Sequence, residues 1–368
     1  MRFKAVRELV RRELTVQAAA AATGELEVLN VPAIMGPPGM GKTSICHLFA
    51  EELNLRLLVI NCGETSDTTD VSGMPGARFE PLKFADIIPY TEWQLNAAAA
   101  RACVEPCLLL FDDIDKAPPA VQGALLGITG ARTFRDYALH EGTLIMLAGN
   151  RVGDDMLSNV LSESLRSRVT IYELSESLED FSAYAESTKH IHPMIIGYLH
   201  YAPKHLHVMD PKTMQVVSPR GWRQASRHMF AFPDPMAKIP DVDQPNWHAI
   251  ITAKCGTAIG NDFWGWYQVL SKVDVPSILN GTKVTQVTGE AKDVRMWQFA
   301  AVFAVASHLN AKGVRPADVG LQTFVDELKD EMKVALLIQM SSSSRNAFVK
   351  NFPSAAASVM KTLTSVSV

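Results

Sequence analysis

Val31-Pro-Ala-Ile-Met-Gly36-Pro-Pro-Gly-Met-Gly-Lys42-Thr43-Ser44 decides the fold of this chain. A short apolar run of strand character meets a glycine- and proline-rich loop. The loop opens a helical pattern, Thr43 to Leu53, with apolar residues at Ile45, Leu48 and Phe49. Gly36 to Thr43 matches G-x-x-x-x-G-K-[ST] in the strand-then-helix setting that this motif requires. Its glycines let backbone N–H groups turn inward around phosphate oxygens, and the helix start adds the positive end of its dipole. A chance turn holding a lysine is the competing reading, and the two correct flanking elements weigh against it.

Working outward, a second strand reads Leu55 to Ile60, followed by an irregular stretch from Asn61 to Pro89 rich in Gly, Pro, Asp and Thr. Glu92–Arg101 and Val121–Ile128 have helical spacing, and Cys107–Phe111, Thr143–Ala148 and Val169–Glu173 read as buried strands. Strands alternating with helices predict an α/β fold, a P-loop αβα sandwich around a parallel sheet. Beyond about residue 176 strand runs disappear. Helical periodicity dominates in Leu178–Ser187, Pro193–Tyr201, Pro219–Phe230, Trp247–Leu270, Val294–Leu309, Pro316–Lys329 and Glu331–Gln339. The expected domains are an N-terminal helical segment 1–29, a nucleotide-binding α/β domain 30–176 and a helical lid 177–272. A turn-rich linker 273–293, C-terminal helices 294–340 and a flexible tail 341–368 after the Ser341–Ser344 hinge complete the expectation.

Composition narrows the class. The chain has 368 residues, of which 47% are hydrophobic, and its 35 basic against 39 acidic side chains leave a net charge of −4. That balance makes no global case for nucleic acid. No apolar stretch approaches the roughly 20 residues that cross a bilayer, so no membrane role is expected. The start carries basic residues but no apolar leader core, and the five cysteines are scattered, which fits a reducing cytoplasm.

The candidate site residues follow. Gly36, Pro37, Pro38, Gly39, Met40, Gly41, Lys42, Thr43 and Ser44 form the cradle, with Lys42 reaching the β- and γ-phosphates and the Thr43 hydroxyl ligating Mg²⁺. Cys107-Leu-Leu-Leu-Phe-Asp112-Asp113 ends a buried strand in two carboxylates. The carboxyl end of such a strand lies beside the phosphates. Asp112 is then the Mg²⁺ partner, through water, because Mg²⁺ dehydrates reluctantly. Asp113 is placed to polarise an attacking water. Taken alone, this acidic pair would read as a helix cap, and Asn150 after Gly149 as a turn residue; following the loop in order, Asn150 is a candidate partner for the lytic water or the γ-phosphate. Arg168, with Arg166 as the alternative, precedes the next strand and can reach a phosphate held by a neighbouring subunit. Arg220, Arg223 and Arg227 share one helical face, which could sense phosphate, bind nucleic acid or be solvated surface; Arg220 is the preferred sensor.

In that order these motifs resemble an AAA+ ATPase, and Asp112-Asp113-Ile-Asp-Lys-Ala-Pro-Pro-Ala-Val-Gln-Gly-Ala-Leu-Leu126 is similar to the MoxR-like branch. Ser218-Pro-Arg220 resembles its second sensor. The likeness covers about residues 30–230. It implies ATP and Mg²⁺ as cofactors and a homo-oligomeric ring, usually a hexamer. Hydrolysis would remodel a partner protein, often one with a von Willebrand A-type domain. Members usually carry Glu where Asp113 stands, and the shorter side chain implies slow hydrolysis, or hydrolysis only in a tight assembly, since about 1 Å of misplacement can cost on the order of 10²-fold. An ATP-gated scaffold with little hydrolysis and a DNA-associated motor or loader are the alternatives. Members also often insert an axis-facing loop where residues 70–89 lie, which makes Phe79, Phe84 or Tyr90 candidate partner contacts. His190/His192, His205/His207 and Cys103/Cys107 invite a metal reading but sit in spacings that fit structural roles better. The aromatic cluster Phe263, Trp264, Trp266 and Tyr267 is expected to pack a core or a subunit interface.

Overall fold

A computed structural model of the chain describes residues 1–23, 30–76, 92–154, 158–209, 215–282 and 294–366. The chain divides into two compact units, Met1–Asp180 and Phe181–Val368.

The first unit is built on five strands: β1 (Val31–Met35), β2 (Arg56–Asn61), β3 (Cys107–Asp112), β4 (Leu144–Gly149) and β5 (Val169–Glu173). They form one sheet in the order β2-β3-β4-β1-β5, with every neighbouring pair parallel. Registers run from Arg56↔Cys107 to Asn61↔Asp112 and from Val31↔Val169 to Met35↔Glu173, so all carboxyl ends lie along one edge. The unbroken apolar runs are explained by burial on both faces. Cys107, Leu109 and Phe111 pack with Val71, Ala99, Val121 and Leu125. Leu108 and Leu110 pack on the other face with α1 (Phe3–Thr23) through Val6, Val10 and Leu14, and with α2 (Lys42–Glu52) through Ile45 and Phe49. Gln17 of α1 is buried. Its Nε2 donates to Ile145 O at 3.0 Å and its Oε1 accepts from Ile145 N at 2.9 Å, so an amide side chain stands in for a ladder partner at the foot of β4.

Two local expectations change in this unit. The helix expected at Glu92–Arg101 is a strand, Glu92–Gln94, antiparallel to Met74–Gly76, and then a helix, Ala97–Val104. Asn96 caps that helix by accepting from Ala99 N at 2.8 Å, which sets its start downstream of Trp93. The helix expected at Val121–Ile128 runs Pro119–Leu126 and continues as a π-helical turn, Gly127–Ala131.

The second unit is largely helical, with two short hairpins, Val208–Met209 with Val216–Val217 and Lys238–Ile239 with Val242–Pro245, where no strand was expected. The single helix expected from Trp247 to Leu270 is two, Asn246–Cys255 and Thr257–Leu270. Gly256 breaks it at φ +89°, a conformation that favours glycine, and a Cβ on Gly260 would stand 2.1 Å from Thr252 Oγ1, so the two helices cross too closely for any side chain there. The linker holds a short helix, Val275–Leu279. The tail expected to be flexible is a pair of helices, Ser342–Asn351 and Pro353–Val366. The serine run is a cap and not a hinge: Ser341 Oγ accepts from Ser344 N, and Ser344 Oγ donates to Leu309 O at 3.1 Å. Phe348, Ala355, Ala356 and Val359 then join a core with Leu309, Leu321 and Phe324. Among the described residues no helix is long and apolar enough to cross a membrane.

Candidate functional site

The loop between β1 and α2 is shaped by two close approaches and two glycines of positive φ. Gly36 N donates to Gly149 O at 3.2 Å, and a Cβ on Gly36 would stand 2.8 Å from Leu174 O. Gly39 and Gly41 take φ of +79° and +87°, so the backbone turns as a non-glycine residue would resist. No side chain caps the start of α2, whose N-cap is Gly41 itself. Lys42, only 8% exposed, folds back over this loop: its Nζ donates to Gly36 O at 2.8 Å, Pro37 O at 2.9 Å and Asn150 Oδ1 at 2.8 Å.

The ends of β3 and β4 complete the cluster. Thr43 Oγ1 donates to Asp112 Oδ2 at 2.7 Å, bringing the first turn of α2 onto the β3 carboxylate. Asp113 follows at φ +51° with its backbone N donating to Asp112 Oδ1 at 3.0 Å. Burial, and then the charges of Asp112 and Asp115, raises the Asp113 carboxyl above the ordinary carboxylate range. Asp115 is 0% exposed and accepts from Asn150 N at 2.7 Å, Asn150 Nδ2 at 3.2 Å and Ser158 Oγ at 2.7 Å. Asp112 and Asp113 stand out by their place at the strand end, whereas only burial and the bonds to Asn150 and Ser158 mark Asp115.

These residues fit a magnesium nucleotide. A hydroxyl and a carboxylate held 2.7 Å apart are hard oxygen donors of the kind Mg²⁺ takes. Among the described residues no cluster of three or more His, Cys, Asp or Glu is placed to hold a metal. With Asp112 acting through water, the Thr43 hydroxyl alone leaves room for the phosphate oxygens and water that Mg²⁺ usually retains. Within the pairs His190/His192, His205/His207 and Cys103/Cys107, three side chains have structural partners. His192 caps the helix Pro193–Tyr201 through its Nδ1, His205 Nδ1 meets Tyr198 Oη at 2.6 Å, and Cys107 Sγ packs 3.6 Å from Thr143 Oγ1.

The arginine candidates of the first unit lie apart from this cluster. Arg166 and Arg168 are exposed at the amino edge of the sheet, where Val31 N donates to Arg168 O. The five residues of β5 separate that edge from the loop by about 15 Å. Arg168 Nη1 donates to Ser164 O at 2.8 Å. Arg220, Arg223 and Arg227 are exposed on the helix Pro219–Ala231 of the second unit, capped by Ser218. Phe263 and Trp266 are buried against Tyr198, a core role. Phe79, Phe84 and Tyr90 lie outside the described residues.

Residues 33–174 match the family of ATPases associated with various cellular activities, AAA. The chain thus carries an AAA ATPase family domain, and every candidate residue of the first unit lies within it. The peroxisomal Lon protease homolog 2 of rice, Oryza sativa subsp. indica, is 31% identical over 121 residues, 29% of this chain and 12% of that protein. Its maize counterpart, Zea mays, is 30% identical over the same shares. The chain therefore spans about an eighth of the length of the curated relatives it matches. Among solved structures, the Thermotoga maritima RuvB Holliday junction branch migration motor is 19% identical at a TM-score of 0.35, covering 76% of this chain and 80% of that one. Hsp104 with ATPγS and casein is 17% identical at a TM-score of 0.33, covering 47% and 34%.

Proposed function

We propose that this chain is a Mg²⁺-dependent AAA+ ATPase of the MoxR-like branch that assembles into a homo-oligomeric ring, a hexamer, and uses ATP to remodel a partner protein, one with a von Willebrand A-type domain. The observation that carries the reading is the convergence of Lys42, Thr43, Asp112 and Asn150 at one edge of the sheet. Lys42 neutralises the β- and γ-phosphates and gives up its present carbonyl contacts to do so. Thr43 and Asp112 hold the metal, which supplies charge neutralisation on the phosphate oxygens when bound. Asp113 orients and polarises the water, and Asn150 holds the phosphate side of the site. Arg168, at the opposite edge of the sheet, would serve the phosphate of a neighbouring subunit.

Titration calorimetry with purified protein, Mg²⁺ and a slowly hydrolysed ATP analogue tests the first step, and sizing with and without the analogue tests assembly. Absence of binding heat for any adenine nucleotide would end the reading. A second reading, an ATP-gated scaffold, is favoured by Asp113 itself, whose side chain is one methylene shorter than the usual Glu and reaches the water less well. Binding and assembly without phosphate release would select it.

A further inference from the structure

Asn150 is an amide whose two ends are chemically opposite, and its use at a phosphate site depends on which end faces inward. In this chain Nδ2 and the backbone N of Asn150 both donate to Asp115, leaving Oδ1 turned to Lys42 Nζ at 2.8 Å. We infer that Asp115 is a positioning residue: by holding both N–H groups of Asn150 it fixes the orientation in which that amide meets Lys42 and the nucleotide. The inference rests on the proposed nucleotide site and adds to it the residue that sets its sensor.

The surroundings leave the carboxylate little freedom. Its side chain has no solvent exposure, so its charge has to be satisfied by donors. Ser158 Oγ at 2.7 Å and Lys116 Nζ at 3.3 Å supply two beyond Asn150. A Cβ on Gly149 would stand 2.8 Å from Asp115 Oδ1, so the residue before Asn150 has room only as glycine. A freely turning amide would sometimes present its NH₂ to the Lys42 ammonium, a donor against a donor. Asp115 forbids that state because a carboxylate accepts only. The same side chain also takes Ser158 Oγ while its carbonyl takes Asn159 N at 2.6 Å. The strand end and the segment leading towards Ser162, which caps the helix bearing Arg166, therefore share one anchor.

The test compares Asp115→Asn, Asn150→Ala and the double variant in the full chain. Asp115→Asn keeps the volume but places an NH₂ among four donors. Expected is a kcat lower by about 10- to 100-fold with KM and analogue affinity changed less than about 3-fold, and a double variant no worse than Asn150→Ala alone. In nucleotide-free protein, amide exchange should accelerate at residues 149–154 and 158–159 in Asp115→Asn and stay unchanged in β5. Multiplying losses in the double variant, wild-type kcat in Asp115→Asn, or unchanged exchange would each overturn the assignment. Should Asp115→Asn fail to fold, Ser158→Ala, which removes one donor, carries the same comparison with Asn150→Ala. A wild-type chain that binds no nucleotide would sink the proposed function, and the exchange measurement would still decide whether Asp115 anchors Asn150.

Discussion

Along the carboxyl edge of the sheet the charged groups are gathered, half or fully buried, and bonded to one another: Lys42 to Asn150, Asn150 to Asp115, Asp112 to Thr43. Along the amino edge the charged groups face solvent, with Arg168 bonded to a backbone carbonyl and Arg56 paired at 3.5 Å with a half-exposed Glu105. The first arrangement has the donors and acceptors for a nucleotide within one chain. The second leaves the exposed guanidinium of Arg168 on a neutral carbonyl, and a guanidinium can also pair with a phosphate or carboxylate of another molecule. In the proposed ring the two edges would be halves of one site, joined between copies.

The largest effect should come from cutting that join. Arg168→Ala is expected to lower turnover by about 10³-fold while leaving analogue affinity within a few-fold, and Arg166→Ala should lower turnover much less. Calorimetry and phosphate release on the same preparations check this, and a large loss of affinity in Arg168→Ala would break the division of labour. Lys42→Ala should weaken analogue binding by about 10²-fold or more, the signature of the carboxyl edge. Mixed with Arg168→Ala, it should recover part of the turnover, because some interfaces then pair an intact Lys42 with an intact Arg168; no recovery in the mixture would place both residues on one chain's site. A smaller change, in the opposite direction, is expected from Asp113→Glu, which restores one methylene and should raise turnover by about 10-fold. Unchanged turnover would show that the shorter side chain is not what limits hydrolysis.

What could be read in advance depended on how local the physics was. The runs Leu108–Phe111 and Leu144–Ala148 announce strands because both of their faces are buried, and the glycine loop announces itself because backbone shape leaves few residue choices. Asn96 and Gly256 were passed over because the periodicity on either side continues across them, although a cap and a positive-φ glycine reset the backbone there. The Ser341–Ser344 run resembled a hinge by composition, yet its hydroxyls cap a helix whose apolar face finds Leu309 and Phe324. Asp115 was invisible for a related reason. Its partners Asn150 and Ser158 lie 35 and 43 residues away, so nothing near it in the chain reports its role.

Acid offers the finest discrimination, because it acts with opposite sign on the carboxyl edge and on the helical unit. The Asp113 carboxyl is raised by burial and by its acidic neighbours, so protonation as the pH falls relieves repulsion in the folded state. His192 and His200 are held by burial at about 4, below the ordinary 6.5. Between those two values the unfolded chain binds protons that the folded helices do not. Their contribution to stability is therefore complete above about pH 6.5 and is lost as the pH falls towards 4. Five of the six tryptophans, Trp222, Trp247, Trp264, Trp266 and Trp297, lie in the second unit, so tryptophan fluorescence follows its melting. That transition should drop by several degrees between pH 7 and pH 5, and His192→Asn with His200→Gln, which remove the titration and keep polar acceptors, should at least halve the drop. An equal drop in the double variant would assign the acid sensitivity to other groups. A rise on acidification would mean that relief among the buried carboxylates outweighs the histidines across the whole chain.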